Sequence, residues 1–116
     1  MIINIENLRL RTIIGIYEWE KENKQDVIIN ISIEFDGSAA GKSDSIEDTV
    51  DYKTITKKII NYVEDGNFNL IEKMVTGIGE IVMEDKRVIL STITADKPGA
   101  LRFTDSVSVT ETFEQR

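Results

Sequence analysis

Apolar and polar residues alternate over two long stretches near the N-terminus, and apolar residues recur at three- and four-residue spacing in the middle of the chain. Residues 2–14 predict a strand in which Ile3 and Ile5 hold one phase and Leu8 and Leu10 the other. The slip near Asn7 predicts a bulge. Residues 26–35 put Val27, Ile29, Ile31, Ile33 and Phe35 on one face and Asn30, Ser32 and Glu34 on the other, the pattern of a half-buried antiparallel strand. Between the two strands, Gly15 to Glu20 form a connection carrying the only tryptophan, followed by the polar run Lys21 to Gln25.

The period then changes. After a polar stretch over 36–48, Asp51 is placed to cap a helix with apolar positions Ile55, Ile59, Ile60 and Val63, which Gly66 closes. A second helix is predicted from Asn69, with Leu70, Ile71, Met74, Val75, Ile78 and Ile81 on its buried stripe, and Gly77 and Gly79 tolerated for close packing. Two further strands are predicted over 87–95 and 101–113. The order β-β-α-α-β-β implies an α+β fold, a four-stranded antiparallel sheet with two helices over one face. Both edges of such a sheet are open, so edge pairing between subunits of a homo-oligomer is expected.

Length and composition narrow the function. At 116 residues, 41% hydrophobic and 30% charged, the chain is sized for one domain over 1–116, with no linker or repeat. Its longest apolar runs are too short to cross a bilayer, and Met1 leads directly into strand-like sequence without a signal peptide, so no membrane role and a cytoplasmic location are expected. A net charge of −7 opposes nucleic-acid binding, which needs clustered Lys and Arg. With no histidine and no cysteine, disulfides and thiolate metal sites are excluded and zinc is disfavoured. A metal-free, cofactor-free reaction on a small molecule is the better expectation.

Acid–base chemistry then falls to Lys, Tyr, Asp or Glu. Lys97 is the notable candidate, because it sits where a strand runs out into Pro98 and Gly99, which remove a backbone donor and allow close approach. A solvated lysine at a turn explains the same residues. Glu18, Glu20 and Glu22 read in isolation as an acidic loop. Tyr52 is equally an ordinary aromatic at the edge of the core. Asn69-x-x-Glu72 is a capping-box pattern. Tyr17 and Trp19 either wall a pocket or anchor their loop, and packing is the simpler expectation. Arg9 and Arg11 share a strand face, and with Arg102 they are exposed charges or a place for a phosphate.

The element order, together with Gly15-Ile16-Tyr17-Glu18-Trp19-Glu20, Asp51-Tyr52, Leu70-Ile71-Glu72-Lys73 and Lys97-Pro98-Gly99-Ala100, resembles the dihydroneopterin aldolase family and its relative, dihydroneopterin triphosphate 2′-epimerase. The resemblance implies a tunnelling fold, in which subunits join their sheets into a β-barrel, as a tetramer or a homo-octamer of two stacked tetramers, with active sites between neighbours. It implies a pterin substrate of 7,8-dihydroneopterin type, cleaved at C1′–C2′ to 6-hydroxymethyl-7,8-dihydropterin and glycolaldehyde. The pterin's own C6=N5 imine, protonated at N5, is the electron sink, so no cofactor and no Schiff base are needed.

On that resemblance Lys97 and Glu20 relay protons, Tyr52 protonates the enol intermediate, and Glu72, beside the Ile71 backbone, accepts the two parallel N–H donors of the pterin edge. The segments 7–12, 24–27 and 100–108 look more like the epimerase branch, whereas 17–20 and 97–100 look more like the aldolase branch. Epimerisation shares the first step: the bond breaks, the aldehyde turns its other face and the bond re-forms. Aldolase is the reading adopted, with the epimerase as alternative and a non-catalytic pterin-binding module as the third possibility.

Overall fold

The computed structural model describes residues 1–116. Strand β1 (Ile2–Ile14) pairs antiparallel with β2 (Gln25–Phe35), β2 with β4 (Val88–Pro98), and β4 with β5 (Ser106–Glu114). The bulge falls where the alternation slips, between Ile5 and Leu8, with Asn7 at φ 53° and its N–H bonded to Asn30 Oδ1 at 2.9 Å. An asparagine tolerates that left-handed backbone better than most residues.

The sheet departs from the expected four antiparallel strands. A fifth strand, β3 (Asn67–Phe68), pairs parallel with Ile13 and Ile14, giving a mixed sheet of order β3-β1-β2-β4-β5. Two residues are too short to show a period, so β3 leaves no trace in the hydrophobic pattern.

Four helices form rather than two. Helix α1 (Glu18–Glu22) and α2 (Ser38–Ser43), with a 3-10 turn over Ile46–Asp48, occupy stretches expected to be loops. Helix α3 (Tyr52–Glu64) starts as expected: the Asp51 carboxylate accepts from the Lys53 and Thr54 N–H groups, both at 3.2 Å, and Ile55, Ile59 and Val63 are buried. Helix α4 (Ile71–Met83) starts two residues later than Asn69, and Leu70, expected on the buried stripe, is exposed at the N-cap position. Strand β5 likewise starts at Ser106, because residues 99–105 are spent on the turn out of β4.

The helices α3 and α4 cover one face of the sheet, and the core between them is one cluster of 19 buried apolar residues. Gly77 and Gly79 serve close packing, since a Cβ at either would overlap the ring of Tyr62 or Phe113. The other sheet face is polar, with cross-strand hydroxyl pairs Thr92–Thr112 at 3.1 Å and Thr94–Thr110 at 2.9 Å. No helix is long and apolar enough to cross a membrane.

Candidate functional site

Along β4 the buried residues Ser91, Ile93 and Ala95 set the core-facing phase. Lys97 continues that phase past the end of the helical cover, so it emerges in a corner rather than in bulk solvent. There its ammonium meets the Glu20 carboxylate at 2.5 Å, with the two side chains only 15% and 7% exposed. The solvated-turn reading of Lys97 and the acidic-loop reading of Glu20 are therefore both set aside. Glu18 and Glu22 on the same helix are exposed, as an acidic loop would have it.

Three donors converge on Glu20. Oε2 accepts from Lys97 and, at 3.2 Å, from the Gln25 amide, while Oε1 accepts the Tyr17 N–H at 3.3 Å. The hydrogen bond from Lys97 does most to hold the Glu20 carboxyl below its ordinary 4.5. Burial pushes the other way, and Gln25, the Tyr17 N–H and the charge of Lys97 add to the lowering. A carboxylate and an ammonium in hydrogen-bond contact can pass a proton between them or through a third group.

The pair forms one side of a cavity of about 550 Å³, lined by 16 residues of which nine are hydrophobic, which suits a flat ring carrying a few polar atoms. Ile71 and Glu72 at the start of α4 line it too, with Leu70, Leu101 and Val107 among its apolar walls. The Glu72 carboxylate makes no hydrogen bond within the chain. The capping box that the Asn69-x-x-Glu72 spacing offered as the alternative does not form: Asn69 Oδ1 accepts from Lys21 at 2.6 Å and α4 has no side-chain cap. Tyr17 and Trp19 line the outer side and are 65% and 58% exposed, so they wall the cavity and do not anchor the loop by burial. A second cleft, among Asp51, Lys58, Glu84 and Arg87, has only two hydrophobic residues and no comparable wall for a ring.

Other candidate residues stay apart from this cavity. Tyr52 is half exposed at the N-terminal end of α3, about 20 Å of helix away from the end that leads into β3 and the cavity. Arg9 and Arg11 alternate with the buried Leu10 and Thr12, so they point to the polar face of the sheet, where Arg11 pairs with Asp26 at 3.3 Å. Arg102 does not line the cavity either, although it follows the lining residue Leu101 in the chain; its guanidinium lies 5.2 Å from the Phe103 ring centroid. Gln25 went unnoticed in the sequence, although a polar residue in phase with Val27 and Ile29 on a core-facing strand was the available signal.

Comparison with known proteins agrees along nearly the whole chain. The family model described as FolB, dihydroneopterin aldolase, matches residues 3–112. A dihydroneopterin triphosphate 2′-epimerase of Escherichia coli is 43% identical over 114 residues, covering 98% of this chain and 95% of that one. An Escherichia coli dihydroneopterin aldolase is 31% identical over 108 residues, covering 93% and 88%. The crystal structure of an E. coli dihydroneopterin aldolase in complex with neopterin superposes with a TM-score of 0.92 at 29% identity, covering 97% of this chain and 98% of that one.

Proposed function

Because this chain belongs to the FolB, or dihydroneopterin aldolase, family, we propose that it is a metal-free, cofactor-free aldehyde-lyase that cleaves C1′–C2′ of 7,8-dihydroneopterin. The observation that carries the reading is that the buried Lys97–Glu20 pair and Glu72 line one apolar-walled cavity. In this reading the chain is one cytoplasmic domain of folate-type pterin chemistry over 1–116.

Glu72 accepts the paired N–H donors of the pterin edge, and the backbone of Ile71 contacts the ring beside it. Its freedom from capping supports that task. With N5 protonated, removal of the proton on O2′ through Lys97 and Glu20 lets the C2′ oxygen form a carbonyl. The C1′–C2′ electron pair then moves into C6=N5. Glycolaldehyde leaves with C2′ and C3′, and protonation at C1′ with release of the N5 proton restores C6=N5 and gives the hydroxymethyl product. Tyr52 supplies that last proton from a neighbouring subunit, since within one chain it stands too far from Lys97. The open edge of β5, and the length of β1 beyond its two-residue pairing with β3, support such an assembly, a tetramer or octamer whose sheets close into a barrel.

A second reading is favoured by the higher identity to a named epimerase than to a named aldolase, 43% against 31%. In it the same bond breaks and re-forms with inversion at C2′, and Arg102, which follows the lining residue Leu101 in the chain, meets the triphosphate while Arg9 and Arg11 would need a neighbour to reach it. The aldolase reading rests on the motifs that form the cavity, because Tyr17, Trp19, Glu20, Lys97, Gly99 and Ala100 all line it. Chromatographic product analysis on 7,8-dihydroneopterin and its triphosphate separates the two. Glycolaldehyde and hydroxymethyldihydropterin from the free pterin are expected, whereas a 2′-epimer alone, formed preferentially from the triphosphate, would establish the epimerase.

A further inference from the structure

Two residues with no task so far converge on the Glu20 carboxylate. Gly15 lies at φ 139°, a backbone that side chains rarely adopt, and a Cβ there would fall on the carboxyl carbon and both oxygens of Glu20. Its own N–H is tied to the Phe68 carbonyl of β3 at 2.9 Å, so the backbone cannot swing away without breaking that bond. Gln25 opens β2 in the core-facing phase. Its amide donates to the Ile14 carbonyl at 2.7 Å and to Glu20 Oε2 at 3.2 Å, the same oxygen that meets Lys97.

We propose that Gly15 and Gln25 are positioning residues of the site: Gly15 leaves the space in which the Glu20 carboxylate sits, and Gln25 holds that carboxylate against Lys97. Both act through Glu20 on proton transfer. The inference rests on the reading that Lys97 moves protons in the reaction. A carboxylate with one rotatable bond too many would otherwise sample several orientations, and each would separate it from Lys97. The titratable groups that line the cavity with Glu20 are Lys97 on β4, Tyr17 before α1 and Glu72 on α4; Glu18, Lys21 and Glu22 share its helix and are exposed.

The test uses the full chain with Gln25→Leu, which keeps the volume and removes the donor, beside Gly15→Ala and Lys97→Ala. In Gln25→Leu, kcat on 7,8-dihydroneopterin should fall about tenfold, the scale of one hydrogen bond to a charged group. KM should hold within about twofold, because pterin recognition at Glu72 is untouched. The acidic limb of the pH–kcat profile should move to higher pH, and 13C NMR of labelled glutamate carboxyls should show Glu20 titrating at higher pH, since it has lost a donor to its charged form. Gly15→Ala should change the same quantities further.

A Gln25 that only ties β2 to the end of β1 would lower the melting temperature and leave both titrations where they are, which would overturn the proposal. So would a raised KM at unchanged kcat, the mark of a direct substrate contact. If Lys97→Ala keeps its turnover, the proton-transfer assignment fails instead, and the carboxyl titration still reports on the seat alone. Should Gly15→Ala not fold, Gln25→Leu decides the matter.

Discussion

Glu20 concentrates the energetics of the site, because it is a buried carboxylate satisfied by an ammonium, an amide and a backbone N–H at once. Its carboxyl is held below 4.5 in the fold, led by the hydrogen bond from Lys97. A lowered folded value means that the stabilisation is fully present above the unfolded value of about 4.5 and is lost as pH falls through the folded one. Stability should therefore drop steeply below about pH 4.5 in native protein and less so in Glu20→Gln. Urea unfolding at a series of pH values, followed by far-ultraviolet circular dichroism because Trp19 is largely exposed and a poor reporter, measures this. Equal acid sensitivity in both proteins would refute it. Nothing in the local sequence separates Glu20 from Glu18 and Glu22, since its burial depends on the missing side chain of Gly15 and on Lys97 from 77 residues away.

Among the elements, α4 was the most legible and its first turn the least. The stripe Met74, Val75, Ile78 and the glycines facing Tyr62 and Phe113 follow from the helical period and from packing. The start did not follow, because Asn69-x-x-Glu72 fits a capping box as well as it fits a free carboxylate. Lys21 decides between them by taking Asn69 away. Glu72→Gln should accordingly cost under about 0.5 kcal/mol of stability, the range of an ordinary surface change, while weakening pterin binding about tenfold or more through loss of a charge-assisted acceptor pair. Calorimetric titration with the product pterin, together with denaturant unfolding, checks both halves; a stability loss near 1 kcal/mol with intact binding would restore the cap. Strand β3 and helices α1 and α2 escaped notice because elements of two to six residues carry too little periodicity to be seen.

At the scale of the molecule, long strands stretch the chain to 52 by 26 by 24 Å, with the cavity where β4 turns towards β5 and Tyr52 at the far end of α3. The order of strands and helices was legible because β1, β2, α3 and α4 each bury one regular face. The cavity was legible only through the resemblance of four short motifs, because its walls come from segments up to about a hundred residues apart. That separation also explains why Arg9 and Arg11 were candidates at all: a shared strand face is visible in sequence, but which side of the sheet carries the site is not. The central claim is that this cavity breaks the C1′–C2′ bond of a dihydropterin side chain. The most direct measurement is 13C NMR of 7,8-dihydroneopterin labelled at C2′ and incubated with the protein. The account predicts that the label passes into glycolaldehyde, with any label retained in the pterin showing inversion at C2′. Label remaining wholly in unaltered substrate, while calorimetry shows the same pterin bound, would contradict it.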